Sequence, residues 1–258
     1  MTSQDGVFLA VASTFMQRSQ GLLWRKQRGG YIREDILITS ETRGSTITTG
    51  AFCPITFSSY QSTFTLQRRV PDSSLRTYCT CLAIGFTDGV VKMLSLCVKR
   101  GREGSYTDDT EYWDVDESAA RRDGHRLECE QKLLYRHDGP VTSLAFSARG
   151  TLFLSASEDS TLRVLARSSP PLRAPVILRG HRDKVHAACF SPDERYIASA
   201  SEDRTVRVWK VKDWSCVATF AEHEAAVTHV VFCPSGGAVW SAARDGRVRR
   251  HAFAPYIQ

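Results

Sequence analysis

The sequence predicts an all-β fold assembled from small antiparallel sheets that repeat along the chain, a β-propeller. A pattern headed by histidine recurs at nearly constant spacing, each copy divides into short alternating strands, and turn residues fall at the same offsets in every copy. His137, His181 and His223 head the three copies. Four residues later stand Val141, Val185 and Val227, and nine residues later Phe146, Phe190 and Phe232. Ser155, Ser199 and Ser241 follow 18 residues after each histidine, and Asp159, Asp203 and Asp245 follow 22 after it. The period is 44 residues and then 42.

Within a copy the elements come in a fixed order. Val141 to Phe146 alternates as a first strand, Ser147 to Gly150 turns the chain, and Leu152 to Ala156 forms a second strand. A tight turn at Glu158-Asp159-Ser160 leads to a third strand, Thr161 to Leu165. The second copy repeats this with Ser191 to Glu194 as the turn and Thr205 to Trp209 as the third strand. A further β-prone stretch, such as Val217 to Phe220, closes each copy before the next histidine. One small sheet cannot bury both of its faces, so such sheets must stack.

The stretches Arg179-Gly180-His181, Phe190-Ser191-Pro192-Asp193, Ile197 to Asp203 and Thr205 to Trp209 resemble a WD40 repeat. The resemblance implies a hydrogen-bonded chain of His, Ser, Asp and Trp inside each blade. Here the full set is His181, Ser199, Asp203 and Trp209. The neighbouring copies keep His137, Ser155 and Asp159, and His223, Ser241 and Asp245. Their tryptophan positions hold Leu165 and His251, which removes the last link in one copy and leaves it open in the other. A His–Ser–Asp trio also suits nucleophilic catalysis, but three copies at identical spacing favour a structural role, since an active site is normally single.

Before residue 133 the pattern thins. Ile47 to Pro54 matches Val227 to Pro234 as a first strand, and Cys81 to Gly89 followed by Val90 to Leu94 reads as a hairpin turning at Asp-Gly. Phe52 and Asp88 lie 36 residues apart instead of 13, so an insertion is expected at about 55–77. Arg43 and Ile84 stand where His and Ser would. Val7 to Ser13 and Gly21 to Lys26 form another expected hairpin, with Tyr31 to Thr39 as an outer strand. A second insertion, 99–128, is charged and carries Tyr112-Trp113-Asp114. The expectation is one propeller domain over 1–258 with about five blades, at 1–40, 41–136, 137–180, 181–222 and 223–258. Either Tyr31 to Thr39 completes the last blade and closes a ring, or the ring is incomplete with an open edge; the second is favoured.

Composition is that of a globular protein, with 42% apolar and 24% charged residues. The short apolar run Val7 to Ala12 follows Asp5 and no basic residue, so it reads as a strand and not as a secretion signal. Membrane insertion is not expected. The 8 cysteines show no metal-ligand spacing and read as small buried hydrophobes of a reducing compartment, which places the chain in the cytoplasm or nucleus. No cofactor or metal is expected. The motifs of hydrolases, nucleotide binders and zinc proteases do not occur, and the reading is non-catalytic.

The resemblance implies partner binding on one rim of the ring, at three positions per blade. These are Pro140, Thr142 and Glu158; Lys184, His186 and Glu202; Ala226, Thr228 and Arg244; and, in the degenerate blade, Thr46, Thr48 and Thr87. Arg163, Arg207 and Arg249 recur on the third strands and read as basic residues packed between blades with solvated heads rather than a phosphate-binding ring. Trp113 in its acidic segment is a further candidate contact. Trp209-Lys-Val-Lys212 lacks the Trp-Asp-x-Arg ending carried by many substrate receptors of cullin-based ubiquitin ligases. The expected function is a protein-interaction scaffold within an intracellular complex. The alternatives are an RNA-associated propeller, which the net charge of +6 permits without making nucleic acid the favoured ligand, and a regulatory fragment of a larger protein.

Overall fold

In a computed structural model of the chain, period-two alternation in short runs becomes 19 strands among the described residues. It describes residues 8–15, 18–27, 30–34, 42, 44–54, 57–58, 78–100, 125–167 and 174–253, with side chains described for 42, 44–54, 80–97, 129–167 and 174–253. The first sheet holds β1 (Phe8–Phe15), β2 (Arg18–Gln27) and β3 (Gly30–Glu34). The second holds β4 (Ile47–Phe52), β5 (Phe57–Ser58), β6 (Tyr78–Phe86), β7 (Val90–Arg100) and β8 (His125–Arg136). The third runs β9 (Val141–Phe146), β10 (Leu152–Ser157), β11 (Leu162–Ala166) and β12 (Val176–Leu178). In the fourth come β13 (Val185–Phe190), β14 (Tyr196–Ser201), β15 (Val206–Lys210) and β16 (Cys216–Phe220). The fifth has β17 (Val227–Phe232), β18 (Ala238–Ala243) and β19 (Val248–Ala252).

All pairings are antiparallel between neighbours, as short turns dictate. A register shift recurs on the first strand or its partner in sheets two to five, at Ile47/Thr49, Ala156/Ser157, Val185/Ala187 and Val227/His229. It is a bulge at a constant place in the repeat.

Alternation gives the second to fifth sheets apolar faces, and where two of these sheets are adjacent the faces meet. Ala83, Val91 and Met93 of the second sheet pack with Val141, Leu144 and Phe153 of the third. The other face of the third sheet, Leu154, Leu162 and Val164, meets Val185, Ala188 and Ile197. Ala198, Val206 and Val208 of the fourth then meet Val227, Phe232 and Val239 of the fifth. The core is therefore a series of slabs between sheets.

Among the described residues the ring is not closed. β3 pairs with β2, and β19 has β18 as its only strand neighbour. The alternative in which Tyr31 to Thr39 completes the last blade is corrected accordingly as far as residue 34; residues 35–39 lie outside the described residues. So do most of the two expected insertions and Trp113.

Candidate functional site: the histidine networks and the loop rim

Where the second strand turns into the third, the residue after each aspartate takes a left-handed backbone. Gly89, Ser160, Arg204 and Gly246 have φ of 82°, 65°, 68° and 75°. For Ser160 and Arg204 this costs on the order of 1 kcal/mol, so something must hold the turn. The aspartate does. Asp203 Oδ1 accepts from the Thr205 amide at 3.0 Å and its hydroxyl at 2.6 Å, while Oδ2 accepts from the Arg182 amide at 3.0 Å. Asp159 makes the same bonds to Thr161 and Asp138.

The histidines tie this turn to the sheet interior. His181 Nδ1 lies 2.9 Å from Asp203 Oδ2, and its Nε2 lies 2.7 Å from Ser199 Oγ. A carboxylate can only accept, so Nδ1 carries the proton and Nε2 accepts from the serine hydroxyl. The serine oxygen then accepts from Trp209 Nε1–H at 2.9 Å. Burial by itself would raise the Asp159 and Asp203 carboxyls. The bonds from His137 with Thr161, and from His181 with Thr205, outweigh it and hold both well below the usual carboxylate range. Asp245 is also lowered, chiefly by the Arg247 amide.

The other two copies complete the chain by different means. In the third sheet Leu165 donates nothing, yet the link is present: Tyr135 Oη, from the outer strand of the preceding sheet, lies 2.9 Å from Ser155 Oγ. Ser155 gives its proton to His137 Nε2 at 2.7 Å, so the tyrosine donates. The inferred loss of this link is corrected. In the fifth sheet His251 Nε2 stands 2.8 Å from Ser241 Oγ and takes the tryptophan's place. Its ring stacks on Phe220 at 4.6 Å. Burial lowers the His251 pKa, against the pull of Glu222.

This constellation does not present a nucleophile. Each serine donates to a histidine as a nucleophile would, but Ser155 and Ser199 are 0% and Ser241 2% exposed, so no substrate reaches the serine oxygens. Among the described residues no cluster of His, Cys, Asp and Glu could hold a metal ion.

The tryptophan link also dictates a glycine. A Cβ on Gly180 would lie 2.8 Å from Arg207 Nη1 and 2.9 Å from Trp209 Cη2. Where the tryptophan is replaced, by Leu165 and His251, the residue before the histidine is Arg136 and Glu222. Gly180→Ala should therefore destabilise by about 1–3 kcal/mol, through overpacking and not backbone strain. The loss should shrink in a Trp209→Leu background, which a double-mutant cycle on thermal unfolding measures.

The rim positions converge at the same end of the sheets. The residue before each aspartate donates its amide to the carbonyl three residues past the histidine or its equivalent: Glu158 to Pro140, Glu202 to Lys184, Arg244 to Ala226 and Thr87 to Thr46, at 2.8–2.9 Å. Thr142 Oγ1 bonds the Val185 carbonyl across sheets at 2.6 Å, while Thr48 and Thr228 bond carbonyls of their own sheets. Ala226 is buried and offers its backbone alone. The rim charges pair across sheets, Lys184 with Glu158 at 2.7 Å and Arg244 with Glu202 at 3.1 Å, and His186 also reaches Glu202. In the degenerate second sheet Ser45, Thr46 and Thr87 bond one another instead.

Arg163 lies 5.8 Å over the Tyr135 ring, Arg207 sits beside Gly180, and Arg249 is 3.9 Å from Glu222. Arg163 thus packs on the outer strand of the preceding sheet, and Arg207 and Arg249 pack beside the residues that lead out of the preceding sheet. Sequence reasoning missed Arg167, which is buried and bonds Cys53 Sγ at 3.0 Å, the Gly150 carbonyl at 2.8 Å and Cys81 Sγ at 3.3 Å. The seven cysteines with described side chains are free thiols.

The sheets and networks define a propeller built of WD repeats. The WD40 family (WD domain, G-beta repeat) matches residues 128–164, 174–210 and 214–250. These three segments are WD40 repeats. It is 37% identical to Periodic tryptophan protein 2 of Arabidopsis thaliana over 78 residues, 30% of this chain and 9% of that protein. It is 33% identical to Transducin beta-like protein 3 of Rattus norvegicus over 111 residues, 42% of this chain and 14% of that one. To Pre-mRNA-processing factor 19 of Bos taurus it is 35% identical over 92 residues, 36% and 18% of the two chains. The matched region spans less than a fifth of each of these relatives. No helix of the described residues is long and apolar enough to cross a membrane.

Proposed function

We propose that the chain is a non-catalytic scaffold subunit of an intracellular multiprotein complex and holds protein partners on the loop rim. The carrying observation is the division between a sealed interior and a presented rim. The His–Ser–Asp chains are buried and spend their polar groups on one another, while Lys184, Glu202 and Arg244 are held in place by cross-sheet pairs. Such surface pairs add little stability, but they fix the direction of polar groups that a partner can read.

The test is affinity purification of the tagged full chain beside a Lys184→Ala, His186→Ala, Arg244→Ala variant. The variant should keep its circular dichroism and melting temperature and lose its stably co-purifying proteins. An unchanged partner set would overturn the rim assignment.

A ribonucleoprotein setting is the second reading, favoured by the likeness to a relative named for pre-mRNA processing. The basic cluster at the C-terminal sheet supports it weakly. Arg244, Arg247 and Arg249 already face Glu202, Glu224 and Glu222. In that setting the chain joins proteins of the complex and does not grip RNA itself; RNA affinity falling steeply with salt would reverse this order.

A further inference from the structure

We propose that His251 makes the seam between the fourth and fifth sheets a proton-sensitive joint, tight while the ring is neutral and loosened when Nδ1 takes up a proton. Such a joint goes beyond the scaffold reading and is independent of which surface holds partners.

Hydrogen bonding fixes where the proton of the neutral ring sits. His223 Nδ1 lies 3.2 Å from Asp245 Oδ2 and must donate, so its Nε2 accepts from the Ser241 hydroxyl at 2.8 Å. Ser241 has no second proton to give, so His251 Nε2–H donates to its oxygen at 2.8 Å. The neutral ring then carries a lone pair on Nδ1, which is buried and has no hydrogen-bond partner among the described residues. Trp209 makes the same link in the fourth sheet with an indole that has no basic nitrogen. Tyr135 makes it in the third with a hydroxyl whose pKa burial pushes up. Of these three donors, His251 alone can gain a proton near neutral pH.

The surroundings set the sign. The His251 side chain is 0% exposed, with Phe220 of β16 stacked on its face and Ser241 of β18 at its edge. The charged and titratable groups around it are Glu222, His223 and Arg249. Glu222 Oε1 stands 3.5 Å from Nδ1, while Oε2 is 3.9 Å from Arg249 Nη1. One carboxylate, 53% exposed and screened by water, would thus have to serve two cations. Burial, with His223 and Arg249 adding to it, outweighs Glu222 and holds the ring below its ordinary pKa. The unfolded chain therefore binds this proton more readily than the folded one. The stability that the neutral ring contributes is complete above about pH 6.5 and is lost as pH falls through the folded-state value. Because the ring joins Phe220 of the fourth sheet to β18 and β19 of the fifth, the loss falls on the seam.

The test follows the full chain and two variants from about pH 7.5 down to about pH 5.5. His251→Gln keeps an N–H donor for Ser241 and cannot titrate, and Glu222→Gln changes an exposed residue. The His251 ring signals in NMR should titrate below about 6.5, and lower still in Glu222→Gln. Over the same range the hydrogen-exchange protection of β18 should fall about threefold or more relative to β14. In His251→Gln that ratio should stay constant. Titration of His251 at or above its ordinary value overturns the proposal, because Glu222 then outweighs burial and acid tightens the joint. An equal fall in β18 protection in His251→Gln overturns it as well, since another group then carries the acid response. Should His251→Gln not fold, the titration and its direction in Glu222→Gln decide the matter: a value unmoved or raised by that change overturns the proposal.

Discussion

Asp203→Ala should lower stability by about 3 kcal/mol, and Asp245→Ala by clearly less, although the two occupy the same place in the repeat. Asp203 accepts from His181 Nδ1, the Arg182 amide, the Thr205 amide and the Thr205 hydroxyl, all within 3.0 Å. Removing the carboxylate leaves the buried Nδ1–H with only the long 3.4 Å contact to the Thr205 hydroxyl and frees a turn whose Arg204 sits at a φ of 68°. Asp245 makes longer bonds, 3.2 Å to His223 and 3.3 Å to the Glu224 amide, and Arg247 supplies no hydroxyl. Its turn is eased by Gly246, for which a φ of 75° carries no steric penalty. Urea unfolding of both variants at matched slope measures the order. Equal losses would show that the turn, and not the number of bonds, sets the cost.

Arg167→Ala should cost about 3 kcal/mol, whereas Arg167→Met should cost less than about half of that. The guanidinium sits under the third sheet and reaches two sulfurs of the second, with the Phe146 ring 5.2 Å from its centre. Burial raises the Cys81 thiol and Arg167 pulls it back, the sign expected of a cation facing a sulfur it stabilises. Alanine leaves a cavity between two sheets and a carbonyl, Gly150 O, without this donor. Methionine fills the volume and removes the charge together with the need to solvate it, so most of the loss should be recovered. Denaturant midpoints of the two variants decide the matter. If methionine is as damaging as alanine, the hydrogen bonds dominate over packing at this site.

The order of strands and the His–Ser–Asp network were legible because they are local in the repeat. Ser199 and Trp209 are ten residues apart and always on neighbouring strands, so spacing alone pairs them. Tyr135 was not legible, because it serves Ser155 from 20 residues upstream and from another sheet. An aromatic two residues before the histidine, in the copy lacking tryptophan, is the signal that would have found it. Arg167 looked like an ordinary basic residue after a strand. Its sulfur partners lie 114 and 86 residues away, a separation that no local pattern reports. The rim positions were carried over from the family resemblance, and the pairing of their charges depends on how adjacent sheets sit, which no local pattern reports.

The boundaries of the matched repeats differ from those of the sheets. Each match begins within or just before the outer strand of one sheet, β8, β12 or β16, and ends in the third strand of the next. Every repeat is thus a clasp shared by two sheets, and Tyr135 reaching forward to Ser155 is the same clasp in side-chain form. A sheet cannot come loose without taking a strand from its neighbour's repeat. Local opening in the interior of the array is thereby joined to opening next door, and independent fluctuation is left to the ends. Among the described sheets, amides of the third and fourth, clasped on both sides, should therefore exchange together rather than sheet by sheet.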